Sequence, residues 1–235
     1  PTISRALSII MLLALNNQLS PAMAASLRTC GLTALSKNNV DEQGGVRPLN
    51  PANTFIKMAD HIAIRECQEA IRDAISDHQY GVGKGPKEAL ARLFQMLDAF
   101  PDSYVQALDL TNAYGSASRA QALKKLYSTP GFRPLFGITA LEYGHNSLVV
   151  VYDKEGKVAY TTESSEGFRQ GSVSAALLFC LLLNTALEKF TASGIEFIAY
   201  IDDLTVFIQP DVWEAKQDII VAALKSLNLQ INPKK

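Results

Sequence analysis

The chain has 235 residues, of which 48% are hydrophobic and 19% are charged. This apolar content is enough for a packed core and excludes a wholly disordered chain. The 22 basic and 23 acidic side chains leave a net charge of −1, so a claim of nucleic-acid binding has to rest on a site and not on overall charge. Three widely spaced cysteines predict neither a disulfide framework nor a zinc site and favour a reducing compartment.

Apolar periodicity and turn residues predict the elements in chain order. The first part of the chain is expected to form helices over 2–15 and 21–29, a strand over 31–35, a polar turn over 38–45, a helix over 56–77, a glycine-rich loop over 79–86 and a helix over 87–100. The second part is expected to form a strand over 104–110, a helix over 116–127, a break over 129–134, a hairpin of strands 148–152 and 158–161, a helix over 172–190, strands over 196–201 and 204–208, a helix over 211–227 and a strand over 229–231.

Two runs, 7–15 and 175–183, are strongly apolar, but a bilayer span needs about 20 residues. We expect both to be buried helices and expect no membrane partner. Since the chain starts at Pro1 and ends at Lys235 without a closing element, we also expect it to be a piece of a longer protein.

The elements from Tyr104 onward follow the order β, α, β-hairpin, α, β. This is the split βαβ, or ferredoxin-like, arrangement, whose sheet is rich in antiparallel pairs and carries helices on one face. The predicted fold class is therefore α+β.

Aspartates stand at the ends of two predicted strands. Asp109 follows the strand that begins near Val105, and Asp202-Asp203 joins two apolar strands. Aspartate suits tight turns, so turn chemistry explains the Asp202-Asp203 pair about as well as function does. The functional interpretation is a divalent-metal site, because Mg²⁺ prefers carboxylate oxygens. If adjacent strands bring Asp109 and Asp202 together, they suit two ions about 3.5–4 Å apart, the arrangement for in-line phosphoryl chemistry.

Six short motifs resemble those of reverse transcriptases (RNA-directed DNA polymerases), in the order that this family has. They are the pair Ala34–Lys37 and Gly45–Leu49, then Gln79–Gly83, Asp109–Tyr114, Gly167–Ser172, Tyr200–Asp203 and Leu227–Lys235. The resemblance covers roughly residues 30–235 and is greatest for the enzymes of non-long-terminal-repeat retrotransposons.

The resemblance implies a right-hand polymerase fold with a ferredoxin-like βαββαβ palm. It implies N-terminal helices and fingers over 1–103 and a palm over 104–235 that carries a fingers-side hairpin insertion near 131–166. The chain is expected to end before the thumb, which would leave this piece alone inactive.

The resemblance also assigns the acidic residues. Asp109, Asp202 and Asp203 match the catalytic aspartates, and these three with the main-chain carbonyl of Leu110 match the ligands of two Mg²⁺ ions, which Mn²⁺ can replace. The implied reaction is transfer of deoxynucleotides from dNTPs to the 3′-OH of a DNA primer on an RNA template. The implied location is intracellular, and nuclear for an element of a eukaryote.

Further positions match residues that hold the nucleotide in this family. Tyr114 matches the steric gate that excludes a 2′-hydroxyl, although core packing explains an aromatic residue there as well. Gln170 and Gly171 match the motif that meets the nucleotide and template, with Ser172 or Ser174 also suited to cap the following helix. Lys37 and Arg47 match finger residues that grip the triphosphate, although a solvated strand face explains Lys37 equally well. Lys234 or Lys235 matches the general acid that protonates pyrophosphate.

One feature departs from the family's pattern, and two other functions stay open. Ser172-Val173 stands where retrotransposon enzymes usually have Asp-Pro. The first alternative is an inactive remnant that resembles a reverse transcriptase and only binds nucleic acid. The second is another palm-fold enzyme, such as a nucleotide cyclase, which Tyr114 and Gln170-Gly171 disfavour. The sequence predicts no oligomeric state.

Overall fold

The structure, a computed structural model, describes residues 2–36 and 46–232. The chain divides into two compact units that alternate along the sequence. In the described residues, the first unit comprises 2–36, 46–68 and 126–175, and the second comprises 69–125 and 176–232. The division at 103/104 into fingers and palm stays a prediction.

The described residues contain ten α-helices and seven strands. The helices are α1 (Thr2–Leu15), α2 (Pro21–Arg28), α3 (Thr54–Glu66), α4 (Gln68–Ala74), α5 (Pro86–Ala99), α6 (Ala113–Ser116), α7 (Arg119–Ser128), α8 (Arg133–Tyr143), α9 (Ala175–Ala192) and α10 (Trp213–Lys225). The strands are β1 (Cys30–Ser36), β2 (Val46–Leu49), β3 (Tyr104–Leu108), β4 (Ser147–Tyr152), β5 (Val158–Ser164), β6 (Glu196–Tyr200) and β7 (Asp203–Ile208). This mixed content confirms the predicted α+β class.

Two predicted elements differ from those in the structure, and helices α6 and α8 were not predicted. The helix predicted over 56–77 is two helices, because α3 ends with Cys67 as its C-cap. The strand predicted over 229–231 is a single bridging residue, Ile231. Helix α8 was not predicted, since Pro134 was interpreted as a break, whereas proline is tolerated in the first turn of a helix. The polar turn predicted over 38–45 lies outside the described residues.

The first unit contains a four-stranded sheet in the order β2-β1-β4-β5. Strand β1 pairs antiparallel with β2 and parallel with β4, and β4 and β5 form an antiparallel hairpin. The hairpin predicted over 148–152 and 158–161 therefore belongs to this sheet and not to the sheet that contains β3. Helices α1, α2 and α3 pack around the almost fully buried α8.

The second unit contains an antiparallel sheet in the order β3-β7-β6. Ile231 extends the β3 edge through a one-residue antiparallel bridge to Leu110. On one face, a small core of Tyr80, Met96, Ile198 and Phe207 joins α5 to β6 and β7.

Helix α9 has the length and composition of a membrane span, but 67% of it is buried inside the structure. Its ring contacts include Phe190 against Phe197 of β6, with centroids 5.7 Å apart. Burial of this kind is typical of a core helix of a folded protein. The three cysteines are free and buried.

Candidate functional site

The three candidate aspartates lie at one end of the second unit's sheet. Strands β3 and β7 are antiparallel, and their last pair at this end is Leu108 opposite Leu204. One residue further, Asp109 follows β3 and stands opposite Asp203, the first residue of β7. Neighbouring strands are about 4.8 Å apart. Asp202 is the second residue of the two-residue turn between β6 and β7, since Tyr200 pairs with Asp203. The sheet register thus brings Asp109 beside the acidic turn.

The turn has a strained backbone at Ile201, whose φ is +58°. Glycine is the usual residue at this first position of a hairpin turn with positive φ, and a β-branched residue there is an outlier that costs on the order of 1–3 kcal/mol. The side chain of Gln79 holds both main-chain groups of Ile201. Its Oε1 accepts the Ile201 N–H at 2.8 Å, and its Nε2 donates to the Ile201 carbonyl at 3.2 Å.

Two buried side chains, Tyr114 and Cys180, lie close enough to Asp202 for its charge to affect their pKa values. Burial raises the pKa of Tyr114 well above its usual value, and the charges of Cys180 and Asp202 raise it further. Burial also raises the pKa of Cys180 to about 12, with Asp202 adding to the effect. The Tyr114 ring is stacked on Phe179 of α9, with centroids 5.1 Å apart and 15° between the planes. The phenol and thiol are therefore neutral neighbours of the Asp202 carboxylate.

Asp109 is held from the other side by Asn232. The Asn232 Nδ2 donates to Asp109 Oδ2 at 2.8 Å, and the Asn232 main-chain N–H donates to the Asp109 carbonyl at 2.7 Å. Successive carbonyls of an extended chain point in opposite directions. Since the Asp109 carbonyl points toward Asn232, the Leu110 carbonyl points to the side of β7, which is the side of the acidic turn.

These groups fit a hard divalent cation, because the donors that they offer are oxygens: the carboxylates of Asp109 and of the turn, and the Leu110 carbonyl. Mg²⁺ in phosphoryl-transfer sites is usually bound by one or two carboxylates, with waters and substrate phosphates completing its shell. Across residues 2–36 and 46–232, no group of three His, Cys, Asp or Glu side chains forms a ready metal cluster.

In the first unit, Gln170 and Gly171 lie in the loop between β5 and α9. The Gln170 carbonyl accepts the Asn50 N–H at 2.8 Å. Gly171 has φ +105°, and a Cβ there would lie 3.1 Å from Leu49 and 3.3 Å from Pro51. Glycine at 171 is thus required both by its backbone conformation and by the close approach of the segment that follows β2.

A buried charged cluster supports this loop from within the first unit. Arg169 and Glu142 form a fully buried ion pair at 3.6 Å, and Arg169 also donates to the Arg28 carbonyl at 2.7 Å. Ser172 donates to Glu142 at 3.2 Å, and Asp60 accepts from Ser174 Oγ at 3.0 Å. Burial raises the pKa of Asp60 to about 6 and that of Glu142 to about 7, where the Asp60 charge adds to the effect.

The other predicted site residues lie in different parts of the chain. Lys37, Lys234 and Lys235 lie outside the described residues. Arg47 lies on β2 opposite Leu35. Arg47, Gln170 and Gly171 belong to the first unit, whereas Tyr114, Leu110 and the three aspartates belong to the second, and the functional roles of all of them stay predictions.

Sequence reasoning assigned no role to Gln79, Asn232 or Arg169. All three stand inside quoted motifs: Gln79 opens Gln79–Gly83, Arg169 lies within Gly167–Ser172, and Asn232 lies within Leu227–Lys235. Each of the three bonds to a residue more than 100 positions away, so no local pattern marked it.

Comparison with solved structures shows the fold. The chain is similar to apo telomerase of Candida tropicalis truncated from its C-terminal domain, with a TM-score of 0.60 and 13% identity over 92% of this chain and 50% of that one. It is also similar to telomerase of Candida albicans in complex with a fragment of telomeric RNA, with a TM-score of 0.65 and 10% identity over 92% of this chain and 42% of that one. A polymerase palm-type fold is thereby confirmed.

Comparison of sequences shows the family. The chain is 30% identical over 223 residues to the retrotransposable element SLACS 132 kDa protein of Trypanosoma brucei gambiense, a match that covers 94% of the chain and 18% of that protein. Residues 35–235 match the family model described as reverse transcriptase (RNA-dependent DNA polymerase). These matches confirm the predicted resemblance to reverse transcriptases and, within that family, to those of non-long-terminal-repeat retrotransposons. The chain belongs to the reverse transcriptase family.

Proposed function

We propose that this chain is the polymerase part of a reverse transcriptase of a non-long-terminal-repeat retrotransposon. It would extend the 3′-OH of a DNA primer with dNTPs on an RNA template. The observation that carries the proposal is the meeting of Asp109 with the Asp202-Asp203 turn at one end of the β3-β7-β6 sheet, inside a chain whose residues 35–235 match the family.

The second unit is, in this proposal, the palm. Its sheet, with Ile231 counted as the last strand, has the connectivity βαββαβ: β3, α9, β6, β7, α10 and Ile231. The order across the sheet is Ile231, β3, β7, β6, which fits a ferredoxin-like arrangement. The first unit, with its hairpin β4–β5 and the paired strands β1 and β2, would supply the fingers.

The acidic end of the sheet is the proposed catalytic centre. Asp109, Asp202 and the Leu110 carbonyl would hold two Mg²⁺ ions, with Asp203 in the same cluster. Bound there, the ions supply activation of the primer hydroxyl and stabilisation of charge on the leaving pyrophosphate. The protein would hold these carboxylate and carbonyl oxygens in position before the substrate binds, so that they need little rearrangement during the reaction.

Tyr114 is proposed as the steric gate. The parallel stack on Phe179 fixes the plane of its ring, and Asp202 is close enough to add to the rise in its pKa, which burial mainly causes. A ring fixed beside the catalytic turn leaves no room for an additional oxygen on the sugar. Its stacking also fits core packing, and substitution is needed to separate the two roles.

The nucleotide and template contacts of the first unit are proposals of the same kind. A nucleotide contact at Gln170 and Gly171 is proposed from the family motif, since the space where a Gly171 Cβ would lie is filled by Leu49 and Pro51. The buried ion pair with Glu142 holds Arg169, two residues before Gly171. Arg47 and Lys37 would contact the triphosphate, and Lys234 or Lys235 would protonate the pyrophosphate.

Primer extension by the full-length protein tests the proposal. With an RNA template, a DNA primer, Mg²⁺ and dNTPs, we expect products that lengthen one nucleotide at a time and depend on the template. Binding of primer and template without extension would favour the inactive remnant. A cyclic nucleotide formed without template would favour the cyclase.

A further inference from the structure

We propose that Gln79 is a positioning residue that holds the turn carrying Asp202 in its working conformation. This inference rests on the proposed function and adds to it a residue outside the acidic cluster. Gln79 is almost completely buried, at 1% exposure. Both polar atoms of its side chain form hydrogen bonds, to Ile201 in the turn and to Gly81 in its own loop.

The side chain makes three hydrogen bonds. Its Oε1 accepts from the N–H of Gly81 and from that of Ile201, both at 2.8 Å, while its Nε2 donates to the carbonyl of Ile201. Both main-chain groups of Ile201 are therefore held by one amide. A carboxylate at this position has no donor for the carbonyl, and an apolar side chain of the same length has neither a donor nor an acceptor.

The main chain of the same loop is anchored independently of that amide. The Tyr80 N–H donates to the Ala199 carbonyl at 2.7 Å, and the Ala199 N–H donates to the His78 carbonyl at 2.9 Å. Gln79 thereby forms a parallel bridge with Ala199 on β6. These main-chain bonds attach the loop to β6 without the side chain, so the side-chain amide is needed only for the bonds to Ile201 and Gly81.

The turn needs such a restraint because Ile201 has a left-handed backbone that its branched side chain disfavours. Without the two bonds from Gln79, the peptide groups on either side of Ile201 are free to rotate toward a more favourable conformation. The peptide that follows Ile201 leads directly to Asp202, so any such rotation displaces this carboxylate. The buried amide thus converts a strained turn into a fixed one.

The experiment compares Gln79→Met with Asn184→Leu in the full-length protein. Gln79→Met keeps the length of the side chain and removes all three bonds. Asn184 is the matched control, since it is also buried, and its Oδ1 accepts the Ser76 N–H at 2.8 Å from the start of the same loop without touching the turn. Hydrogen exchange resolved to single residues and the kcat and KM of primer extension are measured for both.

We expect exchange of the Ile201 amide in Gln79→Met to accelerate by about tenfold or more. We expect kcat to fall by on the order of 100-fold, with the KM for dNTP within about threefold of wild type. Asn184→Leu should lose similar thermal stability and keep its kcat within about threefold. If Gln79→Met does not fold, Gln79→Glu, which keeps the two accepted bonds, should show the same changes to a smaller extent.

Two results overturn the inference: an Ile201 amide that exchanges as in wild type, or a kcat that falls no further in the Gln79 variant than in Asn184→Leu. Failure of the proposed function would look different, because wild type itself would then extend no primer. In that case the exchange rates still decide whether Gln79 holds the turn.

Discussion

Replacing Gly81 by alanine should directly displace the turn that carries Asp202. A Cβ built at this position lies 2.4 Å from Cγ1 of Ile201, 2.7 Å from its main-chain nitrogen and 3.0 Å from Oε1 of Gln79. Ordinary contacts between carbon atoms are about 3.5–4.0 Å, so Ile201 has to move by roughly 1 Å. The two closest atoms are the main-chain nitrogen and Cγ1 of Ile201. Neither is the end of a flexible side chain, so neither can move aside without moving Ile201.

The displacement should be seen mainly in the rate of the chemical step. A misplacement of about 1 Å in a catalytic group costs on the order of 100-fold in rate, whereas overpacking costs the fold about 1–3 kcal/mol. Gly83→Ala is the matched control two residues along. Its φ of +72° makes alanine unfavourable there, but the added Cβ meets nothing within 4 Å.

The assay is single-nucleotide addition to a primer by the full-length protein, with thermal unfolding followed on the same samples. Gly83→Ala should lose stability, by about 1–2 kcal/mol for a left-handed residue, and keep its rate. A Gly81→Ala protein that is folded and adds nucleotides as fast as Gly83→Ala would show that the turn tolerates this movement, and the reasoning would be wrong.

Three further predictions concern other parts of the chain. Tyr114→Ala should raise the incorporation of ribonucleotides relative to deoxynucleotides, and an unchanged ratio in competition assays would reject the steric gate. Burial raises the pKa of both Asp60 and Glu142, so the folded state binds protons that the unfolded chain has released. The free energy of unfolding should therefore fall as the pH is raised from about 4 to about 7. Asp60→Asn should reduce that fall by about 1–2 kcal/mol between pH 5 and pH 8, measured in urea titrations at the two pH values, and an unchanged difference would contradict the assignment. Gly137→Ala should destabilise the protein by at least about 2 kcal/mol, since its Cβ would overlap the Leu15 carbonyl, and a wild-type denaturation midpoint would refute this.

The sequence was sufficient to predict the elements whose pattern is local. The alternation of apolar residues around Asp202-Asp203 predicts two strands and a turn, and the structure has β6, β7 and a two-residue turn there. Helix α8 could not be found in this way. It is buried on nearly every side, so it lacks the amphipathic period on which the prediction depends.

The sequence predicted the acidic residues of the candidate site but not the groups that hold them. Aspartates at strand ends are visible in the sequence. The bonds from Gln79 to Ile201 and from Asn232 to Asp109 join positions 122 and 123 residues apart, and no local pattern contains that information.

The departure at Ser172 has a physical explanation that only the structure supplies. Ser172 Oγ lies 3.2 Å from a Glu142 oxygen and 3.5 Å from an Asp60 oxygen. An aspartate at position 172, which the resemblance leads one to expect, would put a third carboxylate beside two buried ones. Serine instead donates a hydrogen bond, which suits a cluster whose carboxyls already have raised pKa values.

The central claim is that the aspartates at the end of the β3-β7-β6 sheet carry out metal-dependent DNA synthesis. The most direct measurement is the rate of single-nucleotide addition with Mg²⁺ by full-length Asp202→Asn, compared with Asp211→Asn, which changes an exposed aspartate after β7. The account predicts a fall on the order of 1,000-fold or more for Asp202→Asn and a wild-type rate for Asp211→Asn. Equal rates for the two variants would contradict it.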